Sequence, residues 1–204
     1  MLPTLEQAQE IYDSFKEGMY VVDDAINESR GVSAKHAENV AFIASRVAEA
    51  AGMDTTKAYI FGIFHDCGDY IEKTVKGTFH GTAGYDLMME KGFDEVAQIC
   101  LSHSFGKADF NFEDFAAYDQ KELARAKTLL QKMTLDDYDK LIFLADKMSP
   151  HGYIDTIENR VEMIRQRYHL SEKRVAELLK ESLDIKEYFD KKCGQDIYQI
   201  LNLL

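Results

Sequence analysis

Apolar residues recur three and four positions apart along most of the chain, the spacing of one helix face. Leu5, Ala8, Ile11, Tyr12 and Phe15 share the first such face and predict a helix over about 4–15, capped at Thr4 or a neighbour. A second short helix is expected over about 17–28, with Val21, Val22, Ala25 and Ile26 as its apolar positions, broken at Arg30-Gly31. Ser33 is a good N-cap for a third helix to about Ala51, whose stripe is Val40, Ile43, Ala44, Val47 and Ala51. Gly52 ends it, and Asp54 or Thr55 caps the next, which runs to His65-Asp66. A polar loop over 67–78 follows, with Thr78 as candidate cap for a helix over 79–91. Further helices are expected over about 94–104, 119–133, 135–149, 154–168 and 171–189, with a short packed helix in 195–204. Strand-like alternation is weak throughout, so the chain reads as all-α.

Composition narrows this picture. The 204 residues are 46% hydrophobic, enough for one sizeable core without disulfides. We expect a single domain over 1–204, its functional part over 33–153 and helices flanking it in 1–32 and 154–204. Only Pro3 and Pro150 interrupt, which suits long helices. The formal charge of −12 repels long polyanions and disfavours a DNA or RNA binder, though not a small phosphorylated ligand. Cys67, Cys100 and Cys193 are widely spaced and form no CxxC unit, so reduced thiols and a cytoplasmic location are expected. No apolar window approaches the length of a membrane span, and the start lacks the basic and apolar regions of a signal peptide.

Six potential ligands then stand out. His36 shares a helix face with Val40, Ile43 and Val47; alone it also suits a hydrogen-bonded core histidine. His65-Asp66 closes the apolar run that starts at Ala58, where a carboxylate at the negative end of a helix is costly unless a cation neutralises it. His103 follows the stripe Val96, Ile99 and Cys100. Asp146 lies inside Leu141-Ile-Phe-Leu-Ala-Asp146, where its alternative is a salt bridge. His80 opens a helix beside Gly81 and has a simple helix-start role as its alternative. A His and Asp set without thiolate suits Mn, Fe, Co, Ni, Zn or Mg, and six donors exceed what one structural zinc needs. Two divalent metals sharing one carboxylate would use them economically. Lys73, Lys76, Lys107, Lys147 and Arg160 are candidate counter-charges for phosphate, Asp69 is a candidate acid, base or water-orienting group, and Tyr70 and Phe79 suit either base stacking or core packing.

With these residues in order, the chain resembles the HD-domain superfamily of metal-dependent phosphohydrolases. The resemblance lies in Lys35-His36, Phe64-His65-Asp66, His80-Gly81, His103 and Leu144-Ala145-Asp146, and covers about 33–153. It implies an all-α HD-domain helical bundle with extra N- and C-terminal helices. It also implies a first metal on His36, His65, Asp66 and Asp146, and a second on His80 and His103, with Asp66 bridging. Hydrolysis would proceed by attack of a metal-activated water on a small nucleotide or dinucleoside polyphosphate, with Asp66, Asp69 and Lys147 as catalytic groups. Phe143-Leu-Ala-Asp146-Lys-Met-Ser-Pro150 and His80-Gly-Thr-Ala-Gly84 are similar to segments of the bacterial symmetrical dinucleoside-tetraphosphate hydrolases. The chain departs from them at Ser104, where those proteins carry a second histidine, and in Lys147-Met148 after the aspartate. It departs from many HD proteins at Asp69, where they carry lysine. The stringent-response hydrolases match poorly, since only Asp69 stands where they place a Glu-Asp pair. A homodimer is compatible with the flanking helices. Two other classes compete with the hydrolase: a non-catalytic nucleotide-binding or signalling module, and a metal-dependent oxygenase.

Overall fold

A computed structural model describes residues 1–25, 34–69, 78–105, 119–150 and 152–203, with side chains from 17 to 25 left aside. The described residues form ten helices and no strand: α1 Leu5–Ala25, α2 Ala34–Ala50, α3 Thr55–Phe64, α4 His80–Glu90, α5 Asp94–Ser102, α6 Gln120–Leu130, α7 Asp137–Asp146, α8 Ile157–Tyr168, α9 Glu172–Cys193 and α10 Ile197–Ile200. The all-α expectation holds. None of these helices is long and apolar enough to cross a membrane.

Side-chain caps set most helix starts. Asp54 accepts from the Lys57 amide at α3, Asp119 from Lys121 at α6, Thr156 from Asn159 at α8 and Ser171 from Arg174 at α9. Asp136 and Asp139 cap α7 reciprocally. Two expectations need correction. The helices expected over 4–15 and 17–28 are one continuous α1 to Ala25, because Gly18 alone costs a helix only about 1 kcal/mol and no proline stands there. Thr78 is not the cap of α4; Phe79 occupies that position without a side-chain hydrogen bond. The expected Ser33 cap and most of the 67–78 loop lie outside the described residues.

Helices α2 and α3 form the centre. Their crossing is close because Gly62 faces Ala41: a Cβ on Gly62 would lie 2.3 Å from the Ala41 Cα. Helix α1 covers both, α5 and α7 pack on α3, and α7 also packs on α2. Helices α8 and α9 pack together, α9 rests on α2 and α7, and α10 closes against α2 and α9. Val40, Ile43, Ala44, Val47, Phe61, Phe64, Ile142 and Phe143 belong to the main core, joined by Ile157, Phe189 and Ile197 from the last helices. Phe79, Leu101, Phe105, Leu123, Ala126 and Leu130 make a second cluster between α4, α5 and α6. The polar ends of α2, α3, α5 and α7 meet between these apolar bodies.

Candidate metal centre

The six expected donors are delivered from five places in this bundle, His65 and Asp66 together from one turn. His36 sits in the first turn of α2, and His65-Asp66 follows the last residue of α3. His80 begins α4, His103 caps the end of α5, and Asp146 ends α7. The turn after α3 is tight. A Cβ on Gly68 would lie 2.0 Å from the His80 carbonyl oxygen, so only glycine lets the His65-Asp66 turn approach α4. All but His80 are buried, and the His80 side chain retains only 15% exposure.

The donors fall into two triads that share Asp66: His36, His65, Asp66 and Asp66, His80, His103. The carboxylate is split between them. Asp66 Oδ2 lies 3.6 Å from His36 Nε2 and 3.2 Å from His65 Nε2. Asp66 Oδ1 lies 2.8 Å from His103 Nε2 and 3.6 Å from His80 Nε2. Asp146 meets the first triad through His36 Nε2, 3.2 Å from its Oδ1, while its Oδ2 is held by the Lys147 ammonium.

Three imidazoles have their other nitrogen fixed. His36 Nδ1 donates to the Ser149 carbonyl at 2.8 Å, His65 Nδ1 to the Gly62 carbonyl at 2.7 Å and His103 Nδ1 to the Ile99 carbonyl at 3.2 Å. Each therefore turns the lone pair of Nε2 inward when neutral, the arrangement that metal-bound histidines use. The fourth, His80, places Nδ1 3.8 Å from the Asp69 carboxylate, a charge contact beyond hydrogen-bond reach. His36 and His65 bring their Nε2 atoms within 3.2 Å of each other, which two lone pairs tolerate only with a proton or a cation between or beside them.

Electrostatics carry the same signature. Burial would lower the His36 pKa, but hydrogen bonds and charge from Asp146 and Asp66 override it and raise it to about 9. Burial would raise both carboxylates. The charges of His65 and His103 hold Asp66 well below the usual range instead, and Lys147 and His36 do so for Asp146. Burial lowers His103, against the pull of Asp66. The site thus attracts positive charge strongly, and a proton on His36 is the substitute available to the chain alone.

The donor set fits divalent metals. Donors sharing an ion at about 2.1 Å stand about 3.0 Å apart in an octahedron and about 3.4 Å in a tetrahedron. The separations here run from 2.8 to 3.6 Å. Two His and Asp clusters of this kind support two divalent-metal sites and, with them, a metal-dependent hydrolytic centre.

The remaining candidates divide. Lys147 is buried, its ammonium on Asp146 and over the Phe143 ring at 4.8 Å. Asp69 is buried beside His80. Arg160 keeps its Nε buried without a hydrogen-bond partner. Phe79 is fully buried against His80 and Phe105, which settles its alternatives in favour of packing. Lys73, Lys76, Lys107 and Tyr70 lie outside the described residues. Three residues were not anticipated. Ser149 fixes His36, and Ser104 sits between His80 and His103. Tyr168, at the end of α8, is 57% exposed, yet partial burial raises its pKa; the charges of Arg167 and Arg160 oppose the rise and those of Asp69 and Asp146 add to it. Ser104 carried a signal in standing where the resembled hydrolases have a second histidine, whereas Ser149 and Tyr168 carry none that separates them from surface residues.

Comparison with known proteins agrees with this geometry. A family model described as "HD domain" matches residues 33–151. Among curated proteins, Ribonuclease Y of Clostridium novyi (strain NT) is 24% identical over 155 residues, covering 76% of this chain. The chain spans only 29% of that relative's length. No solved structure matches significantly.

Proposed function

The chain belongs to the HD-domain family, and on that footing we propose that it is a metal-dependent phosphohydrolase acting on a small nucleotide or dinucleoside polyphosphate. The observation that carries the reading is the division of Asp66, one oxygen toward His36 and His65 and the other toward His80 and His103. In this reading His36, His65, Asp66 and Asp146 hold the first metal, and His80, His103 and Asp66 the second. Divalent metals in such a pair supply an activated water and neutralise charge on phosphoryl oxygens.

The chain's own groups supply the rest. The backbone carbonyls of Gly62, Ile99 and Ser149 fix the tautomers of His65, His103 and His36, so that Nε2 of each of these three presents a lone pair to the centre. Asp69 stands on the His80 side, and in this reading it takes up a proton released there. Lys147 leans on Asp146 and can turn toward a phosphoryl oxygen once that carboxylate is otherwise neutralised. Arg160 offers a further cation, and the exposed Tyr168 ring a surface for a base.

Charge and likeness narrow the substrate. The relative's name is that of a ribonuclease, an enzyme of phosphodiester bonds. With a net charge of −12, the same chemistry is better suited here to a small phosphoester than to a polymer. The segments around Asp146 and His80 that resemble the tetraphosphate hydrolases favour a dinucleoside polyphosphate within that class. The free thiols of Cys67, Cys100 and Cys193 suit a reducing, cytoplasmic setting.

The test is metal analysis of the full chain and its Asp66→Ala variant, followed by a nucleotide panel scored by product. The wild type should hold two equivalents and convert diadenosine tetraphosphate to ADP alone, or a mononucleotide to nucleoside and phosphate. Asp66→Ala should keep its helical spectrum, fall below one equivalent and lose about a hundredfold or more of its hydrolysis. Unchanged metal content in that variant defeats the metal assignment. No turnover by fully loaded wild type defeats the substrate assignment.

A further inference from the structure

We propose that the Ser104 hydroxyl is a fourth protein donor of the second triad, completing it beside His80, His103 and the Asp66 oxygen that faces them. The inference rests on the two-metal reading above and deepens it, because it makes the two positions chemically unequal.

The argument is geometric. Ser104 Oγ lies 3.1 Å from His80 Nε2 and 3.1 Å from His103 Nε2. Asp66 Oδ1 lies 2.8 Å from the second of these nitrogens and 3.6 Å from the first. The hydroxyl distances fall within the edge lengths of one coordination polyhedron, about 3.0 to 3.4 Å for an ion at about 2.1 Å, and the carboxylate distances lie about 0.2 Å to either side of that range. The hydroxyl is so placed that it can serve as a further donor.

Hydrogen bonds can hold the hydroxyl here while no cation is bound. His103 has its Nδ1 on the Ile99 carbonyl, so its neutral form accepts the seryl proton at Nε2, and the seryl oxygen accepts in turn from His80 when that ring is protonated at Nε2. A cation at the same point accepts lone pairs from both rings, the carboxylate and the hydroxyl together, which makes this a prepared position for one.

The backbone holds the hydroxyl where it is. Ser104 follows the α5 C-cap, His103, and the next residue closes the turn through the Phe105 amide on the Ser102 carbonyl, 2.9 Å. The Phe105 ring is buried at 5.5 Å from Phe79, which in turn lies 4.7 Å from the His80 ring. Ser102 is anchored by its hydroxyl on Asp139 at 2.6 Å. The seryl oxygen is therefore presented to the histidines by a pinned turn.

A consequence follows for the pair of sites. The first triad, with Asp146, offers two imidazoles and two carboxylates. The second offers two imidazoles, a shared carboxylate oxygen and a neutral hydroxyl. A neutral oxygen is a hard and weak donor, which favours Mn(II) or Mg(II) over Zn(II) and makes the second position the more readily emptied. Occupancy of that position, and the hydrolysis that needs it, then tracks the free concentration of a hard divalent cation.

The experiment is Mn(II) titration of the full metal-depleted chain, with free Mn(II) read by its electron paramagnetic resonance signal. The wild type should show a tight and a weak class. Ser104→Ala should weaken the weak class about tenfold and leave the tight class within twofold. Ser104→Thr, which keeps the hydroxyl, should stay near wild type. Equal weakening by Ala and Thr would mean that packing rather than the hydroxyl matters, and overturns the proposal. So does an unchanged weak class in Ser104→Ala while the wild type binds two ions. A wild type that binds a single Mn(II) overturns the two-metal reading, and the proposal with it. Thermal melts of each variant, read by circular dichroism, separate lost binding from lost folding.

Discussion

At the scale of single residues, the candidate site was legible wherever a side chain was expensive in its surroundings. His36, His65, Asp66, His103 and Asp146 sit on or beside apolar stripes, where a bare charge or an unpaired ring nitrogen is costly. Their convergence follows from that cost. Ser149 and Tyr168 were not legible, and Ser104 only as a departure from a resembled histidine pair, because a hydroxyl is cheap almost anywhere and its partner is set by the fold. Lys147 shows both sides. The sequence placed it next to Asp146 but could not show that its ammonium is committed to that carboxylate. Breaking a buried pair by removing one partner costs about 3–5 kcal/mol, because the other charge is left uncompensated. Lys147→Met should therefore destabilise the metal-depleted protein by about that amount in urea unfolding. With saturating Mn(II) the deficit should shrink markedly, since the proposed first metal would neutralise Asp146 in the lysine's place. An equal deficit with and without Mn(II) would mean that Asp146 is not a ligand.

At the scale of helices, periodicity located the elements and capping chemistry decided their ends. The α7 expectation over 135–149 contracts to Asp137–Asp146 because Asp136 and Asp139 cap each other at its start. The α9 expectation over 171–189 begins where Ser171 proves to be the cap, and the helix extends to Cys193, where Gly194 at φ 69° stops it. The boundary missed in α1 has the opposite cause: a polar, glycine-containing stretch that nothing in the chain forces to break. Helix ends also carry tertiary contacts that no periodicity reveals. Asp137, in the first turn of α7, accepts from Tyr188 at 2.8 Å and Lys192 at 2.6 Å of α9, and from Lys140 at 3.1 Å. Burial would raise this carboxyl, but these bonds outweigh it and lower its pKa to about 2 from 3.8. A depressed carboxyl contributes stability that is complete above the unfolded value and is lost as pH falls through the folded one. Asp137→Asn should thus be less stable by about 1 kcal/mol above pH 4, after allowance for solvent screening, and the gap should close toward pH 2. Urea midpoints across that range measure it; a gap constant with pH would assign the loss to shape and not to charge.

At the scale of the whole molecule, the HD match ends at residue 151 while the core does not. Ile157 and Val161 of α8, Leu178 and Phe189 of α9 and Ile197 of α10 are buried in the same cluster as Val40, Phe64 and Phe143. Helix α1 closes the opposite side through Ala8 and Tyr12, whose hydroxyl donates to the Ala34 carbonyl at 3.0 Å. The flanking helices were legible as amphipathic segments, but their role was not. Amphipathicity says that a face is covered without saying by what, and a lid, a dimer surface and a core layer share one pattern. Their burial in the main cluster favours the core layer. Each buried large apolar side chain contributes about 1.5–3 kcal/mol, so five such residues together are comparable to the whole margin of a typical domain, about 5–15 kcal/mol. A chain ending at residue 153 should accordingly lose its cooperative thermal transition and expose apolar surface to a hydrophobic dye, even with Mn(II) present. The full chain should melt in one transition that rises with Mn(II), by about 2.7 kcal/mol of added stability at a hundredfold excess over the dissociation constant. A cooperative melt from the shortened chain would make α8 to α10 an appendage and return the lid and the dimer surface to consideration.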